Sequence, residues 1–73
     1  MRVSVYQHRR RLFNGTATQV ILPGAEGELS VLNFHAPMLC VLTEGDLQID
    51  QVRFPVRGGL ARMARNAMTI LAS

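Results

Sequence analysis

Asp46-Leu47-Gln48-Ile49-Asp50-Gln51-Val52-Arg53-Phe54-Pro55-Val56 alternates polar and apolar residues, which is the repeat of an extended strand and not of a helix. Leu47 and Ile49 face one way while Asp46, Gln48 and Asp50 face the other, and Val52, Phe54 and Val56 resume the apolar face after a reversal at Asp50-Gln51. Pairing Ile49 with Val52 and Leu47 with Phe54 puts the large apolar side chains on one side of an antiparallel hairpin. A slip of one residue would turn them all to water. Arg53 and Arg57 join the wet face, and Pro55, which has no amide to give to a ladder, predicts an edge position.

On either side of this hairpin the pattern stays extended. Val3 and Val5 alternate with Ser4 and Tyr6 as an opening strand, and Leu12-Phe13 reads as a second short strand that runs into a turn at Asn14-Gly15. Thr18 to Leu22 is β-branched enough to be a third strand. Pro23-Gly24-Ala25-Glu26-Gly27 is then expected to break it and form a loop shaped by its backbone. The final stretch supports two readings. Leu60, Met63, Ala64, Ala67, Met68 and Leu71 fall at helical spacing, but Leu60 to Met63 and Met68 to Leu71 also read as two strands around an Arg65-Asn66 turn.

A chain of 73 residues makes a single domain, and at that size folding buries only about 60% of the surface that the unfolded chain exposes. Apolar residues form 48% of the sequence and charged residues 18%, so a thin sheet protein of this composition is expected to leave apolar area for a partner. The one cysteine, Cys40, allows no intrachain disulfide, which fits a reducing compartment. No apolar leader or membrane-length apolar run occurs. All eight basic residues are arginines, and Arg9, Arg10 and Arg11 follow His8 directly. They are read either as a solvated turn or as a contact for phosphate or lipid headgroups.

The residue types argue against chemistry at a site of this chain's own. Two histidines and one cysteine lack the spacing of a metal site, so no metal or cofactor is expected. Cys40 lies within Met38-Leu39-Cys40-Val41-Leu42 and reads as an inert core thiol. Gly24 and Gly27 lack the lysine and hydroxyl ending of a phosphate-binding loop. Glu26 and Glu28 share no feature of an acid and base pair, and read as a polar loop or as a patch that meets a polar or basic partner.

Leu22-Pro23-Gly24-Ala25-Glu26-Gly27-Glu28-Leu29-Ser30-Val31-Leu32, followed by His35-Ala36-Pro37-Met38-Leu39, resembles the N-terminal domain of the epsilon subunit of F-type ATP synthase. Leu12-Phe13-Asn14-Gly15, Gly58-Gly59 and Met68-Thr69-Ile70-Leu71-Ala72 fall in the family's order around it, so the resemblance covers almost the whole chain. It implies an all-β fold, a flattened antiparallel β-sandwich of two small packed sheets in residues 1–73. The closing segment is then a β-hairpin, tertiary context overriding local helical propensity.

The same resemblance implies a non-catalytic rotor part clasped between the gamma subunit and the polar loops of the membrane c-ring, on the cytoplasmic face of a bacterial inner membrane or the equivalent side of an organelle membrane. By position, Glu28, with Glu26 beside it, is expected to face the c-ring, and His35, with Phe34, to approach gamma or another rotor subunit. Pro23, Gly24, Gly27, Pro37, Gly58 and Gly59 are expected to shape the loops. Several residues depart from the family pattern. Ser30 stands where glycine is common, Asn33-Phe34 replaces a usual Pro-Gly, the Asp50-Gln51 hairpin is shorter, and Arg62 replaces a typical acidic residue. Family chains usually continue into a C-terminal helical hairpin, so a chain that stops at Ser73 is expected to lack that domain and its regulatory activity. The rival class is a small basic barrel binding nucleic acid through Arg9 to Arg11. It is disfavoured because Tyr6, Phe13, Phe34 and Phe54 are mostly placed where core packing explains them.

Overall fold

Val3 and Val5 are fully buried while Ser4 and Tyr6 between and beyond them are not, and this alternation recurs through nine strands in a computed structural model of residues 1–73. In chain order the strands are β1 (Arg2–Gln7), β2 (Arg10–Thr16), β3 (Gln19–Gly24), β4 (Gly27–Leu32), β5 (Met38–Leu42), β6 (Gly45–Ile49), β7 (Val52–Val56), β8 (Gly59–Ala64) and β9 (Ala67–Ala72). No helix is present.

The strands form two layers. One runs β2-β1-β9-β8-β5, and the other holds β3 between β4 and the β6-β7 hairpin. The first layer departs from a purely antiparallel sheet, because β1 and β9 pair in parallel, Val3 opposite Met68 and Val5 opposite Ile70. The layers meet where Gly24 of β3 lies opposite Leu42 of β5. Their inner faces bury a single core that includes Val3, Val5, Val20, Leu22, Leu47, Ile49, Met63 and Ile70. Burying such side chains stabilises by roughly 1.5–3 kcal/mol each, and this offsets the entropy of ordering a short chain.

The β6-β7 register is the one its alternation demands, with Ile49 opposite Val52 and Leu47 opposite Phe54, and β7 is an edge strand, as Pro55 requires. The closing segment is a hairpin and not a helix. Met63 pairs with Met68 and Ala64 with Ala67, and Arg65 and Asn66 both hold positive φ, as a tight two-residue turn requires. Asn66 also earns its place outside the turn, since its side-chain oxygen accepts the Phe34 amide at 2.8 Å.

Two expected breaks are not breaks. β2 runs through Asn14-Gly15 to Thr16 because Val3 and Ser4 of β1 supply a partner there, so the turn expected at these residues does not form. Pro23 lies inside β3, and its missing amide costs nothing because the Pro23–Glu28 pair is not hydrogen-bonded across the hairpin. The Pro23 carbonyl points the other way and accepts the Thr43 amide at 2.8 Å, which leaves Ala25-Glu26 alone as the turn. Along β2 the register shifts opposite Val5 and Tyr6, which leaves Leu12 unpaired as a bulge beside Phe13. Phe13 packs on Phe54 edge-to-face, with ring centroids 6.2 Å apart, and closes that side between the two layers.

Asp50 ties β3 to the β6-β7 hairpin. Its carboxylate accepts the Thr18 hydroxyl at 2.9 Å and the amides of Thr18 and Gln19 at 3.2 and 3.1 Å. The Thr18 hydroxyl leads these bonds in holding the carboxyl below its usual range, against an opposing contribution from desolvation. The depressed value means that the stabilisation is present above the unfolded carboxyl pKa and is lost as pH falls through the folded one. Asp50→Asn keeps a residue suited to the positive φ here but removes the charge. It is expected to flatten the loss of stability on acidification below about pH 4 in denaturant titrations, and an acid limb identical to wild type would refute this.

Gly59 opens β8 at φ 134°, and a Cβ there would lie 2.1 Å from the Leu71 carbonyl oxygen. Gly59→Ala is therefore expected to cost about 2 kcal/mol or more, read as a lowered urea midpoint. An unchanged midpoint would contradict it.

Candidate functional site

The two outer faces differ in chemistry. Outward residues of the β4-β3-β6-β7 layer are mostly polar. Ser30, Ile21, Gln48 and Arg53 stand across its strands in one row, and Arg53 reaches Asp46 at 3.9 Å in the only ion pair. At that length and exposure the pair is worth little to stability.

The other layer presents an apolar row instead. Val41 on β5 faces Leu60 on β8, Leu60 faces Leu71 on β9, and Leu71 faces Tyr6 on β1. Val41, Leu60 and Leu71 are 57%, 43% and 54% exposed, and Leu39, 69% exposed, lies one step along β5 opposite Arg62. Directly opposed outward side chains on adjacent strands lie within about 5 Å of one another, so this row is one continuous band and not scattered surface leucines. Reading Met38 to Leu42 as a core run missed it. Only Leu42 of those residues is buried, and the run alternates, with Met38 and Cys40 half-buried against the core and Leu39 and Val41 outside. The hint was available in Leu60 and Leu71, which alternate with Ala61 and Ile70 once the segment is taken as strands.

The residues singled out by the motif lie at both ends of β4. Glu26 is on the Ala25-Glu26 turn and Glu28 points outward just inside the strand, both exposed. Gly27, at φ 127°, lets the chain enter β4 directly from that turn. Phe34 and His35 lie past the other end. Phe34 is 81% exposed at φ 63°, and the ring nitrogen Nδ1 of His35 lies 2.8 Å from the Ala36 carbonyl, so this imidazole is engaged with its own loop. Pro37 is exposed just before β5, and Gly58 accepts the Ser73 amide through its carbonyl at 3.0 Å. The acidic pair and Phe34 therefore stand apart, at opposite ends of β4.

Hydrogen bonds place further turns at the same end as Glu26. Thr43 bonds Pro23, Ser73 bonds Gly58, and the Gln7 side chain reaches the Ser73 carbonyl. The His8-Arg9 turn, with both residues at positive φ, follows directly on Gln7, so Arg9, Arg10 and Arg11 share this end with Glu26 and Glu44. A stacking surface does not accompany them. Phe13 and Phe54 are engaged with each other, while Phe34 and Tyr6 are not core residues as expected. Phe34 is exposed at the opposite end, and Tyr6, half-buried opposite Arg11, is the single aromatic beside the cluster, short of the several that a single-strand nucleic-acid groove needs. No cluster of histidine, cysteine or acidic side chains has the arrangement to hold a metal ion.

Between β4 and β5 lies an open groove of about 790 Å³. Its floor is Leu29, Met38 and Cys40, and Glu26, Glu28 and His35 stand around it. Cys40 is thus a groove thiol and not a core one.

Comparison with known proteins agrees with this architecture. Residues 1–73 match the family described as ATP synthase, Delta/Epsilon chain, beta-sandwich domain. The ATP synthase epsilon chain of Hyphomonas neptunium is 43% identical over 74 residues, covering 94% of this chain and 55% of that one. The ATP synthase epsilon chain of Caulobacter vibrioides is 37% identical over 73 residues, covering 94% of this chain and 85% of that one. The chain spans about half the length of several such relatives. A chain in the Euglena gracilis mitochondrial ATP synthase structure (OSCP/F1/c-ring, rotational state 1) superposes with a TM-score of 0.87 at 17% identity, over 96% of this chain and 48% of that one. A chain in the Tetrahymena thermophila mitochondrial ATP synthase structure (central stalk/c-ring) gives 0.80 at 21% identity, over 97% of this chain and 61% of that one. At such identities the likeness is one of fold. With its whole length matched and two epsilon chains above a third identical, the chain belongs to the ATP synthase delta/epsilon β-sandwich domain family.

Proposed function

We propose that this domain is a non-catalytic piece of a rotary ATP synthase, holding the gamma subunit against its apolar face and the c-ring loops against its acidic turn. The observation that carries the reading is the band Val41-Leu60-Leu71-Tyr6, a flat apolar surface on a small domain whose opposite face is polar. Half-exposed side chains of this size favour a partner that completes their burial, and strands bonded on both sides give that partner a surface that resists shear. The family membership supplies the partner class, and the central stalk and c-ring named for the Tetrahymena structure are consistent with it.

Glu26 and Glu28 fit the second contact. They stand exposed on a turn and the strand beside it, held by the Ala25 amide donating to the Val41 carbonyl at 2.9 Å. Carboxylates so placed form charge-assisted bonds to arginine or amide groups on a facing loop with little further ordering. Phe34 lies exposed past the far end of β4, where it can meet a neighbouring rotor subunit, with His35 beside it held to the Ala36 carbonyl. In this reading the domain passes torque from ring to stalk and makes or breaks no covalent bond. It works on the cytoplasmic face of a bacterial inner membrane or the equivalent organelle side.

Leu60→Asp with Leu71→Asp tests the apolar contact. Both positions are exposed, so the domain is expected to stay folded, while affinity for gamma falls by about 100-fold or more. Undiminished co-purification with gamma would refute the contact. Glu28→Arg is expected to leave the fold and gamma binding intact and to weaken attachment to the c-ring, read as loss of ATP-driven proton pumping in membranes. Normal coupling in that variant would argue against the acidic turn.

A further inference from the structure

The two open sides of the sandwich are finished differently. Between β2 and β7 the Phe13 and Phe54 rings fill the gap, but between β4 and β5 the groove floored by Leu29, Met38 and Cys40 stays open. β4 pairs with β3 alone, so one of its backbone edges is free.

Hydrogen bonds identify which groups line that edge. The Pro23 carbonyl is taken by Thr43 on the side away from β4, so Pro23 and its partner Glu28 form a pair whose backbone groups point away from each other. Alternation then turns the N–H and C=O of Ser30 outward as well, and the Leu32 carbonyl, which accepts the His35 amide at 3.2 Å, confirms the phase. Glu28 and Ser30 thus offer donors and acceptors at strand spacing, with no proline within β4 to interrupt them. On β5 the Val41 carbonyl bonds Ala25, away from β8, so Leu39 faces its own backbone groups into the same opening.

We propose that this groove receives an extended segment of a partner polypeptide, added to the edge of β4 by backbone pairing. The segment carries apolar residues at every second position and a lysine or arginine beside the acidic mouth. The apolar residues follow from the pleat, because a strand laid along β4 turns alternate side chains inward onto Leu29, Met38 and Cys40. The positive charge follows from Glu26 and Glu28 at the groove, where the one other titratable side chain besides the Cys40 thiol is His35, engaged with the Ala36 carbonyl. The proposal rests on free backbone edges and does not require the rotor reading.

The test uses the labelled 73-residue chain and an acetylated, amidated hexapeptide of alternating arginine and valine. Binding is expected to slow amide exchange at Glu28 and Ser30 at least tenfold. The same peptide N-methylated on the residues that face β4, and a glutamate-valine counterpart, are expected to bind at least tenfold more weakly. Ser30→Pro removes an amide that makes no internal bond, and is expected to abolish binding in a folded domain. If that variant unfolds, the N-methylated peptide still decides the question. Absence of binding at millimolar peptide, equal binding of the N-methylated form, or perturbation centred on Leu60 and Leu71 would each overturn the proposal. Failure of the chain to join gamma would sink the rotor reading and leave this result standing.

Discussion

Two backbone hydrogen bonds join the layers of this domain, Thr43 to Pro23 at 2.8 Å and Ala25 to Val41 at 2.9 Å, on either side of the Gly24–Leu42 pair. Here the chain passes from β5 to β6, from one layer into the other, in the space of Thr43 and Glu44. The passage is tight. A Cβ on Gly24 would sit 2.6 Å from the Gly27 carbonyl oxygen, and one on Gly45 would sit 2.9 Å from the Pro23 side chain. The residues that look like a loop motif are therefore there for steric reasons, and their geometry sets where the acidic turn and the groove beside it stand.

That join explains the unequal faces. Because β5 belongs to the first layer but ends against β3 of the second, its outward residues Leu39 and Val41 extend the β8 and β9 band to the rim of the groove. Apolar face, acidic turn and open edge thus lie side by side around β5, while the polar outer face of β6 and β7 is turned away. If the domain meets two neighbours, as proposed, it gains from such crowding. A rigid sheet fixes the distances between contacts that separate flexible loops would leave variable.

The sequence made the β6-β7 hairpin legible to its register, because Leu47, Ile49, Val52 and Phe54 admit one pairing that sets them on one face, although Val52 at the turn stays 44% exposed. The closing hairpin was legible only through family likeness. Leu60, Met63, Ala67 and Leu71 satisfy helical spacing equally well, and what decides between the two is pairing with β1 and β5, which local pattern does not contain. Pro23 and Asn14-Gly15 misled for the same reason. Each is a turn signal that a neighbouring strand overrides. The exposed apolar band was the least legible part, since a short apolar run such as Met38 to Leu42 reads alike whether its strand is buried on both sides or leaves one face exposed.

The parallel pairing of β1 with β9 joins residues near the two extremes of the sequence, Arg2 beside Ala67 and Gln7 beside Ala72. β1 can pair early with β2, but its other edge stays bare until residues 67–72 have emerged from the ribosome. Closure of the first layer therefore waits for the last strand of this domain, and until then half-finished sheet edges are open to unwanted pairing with other chains.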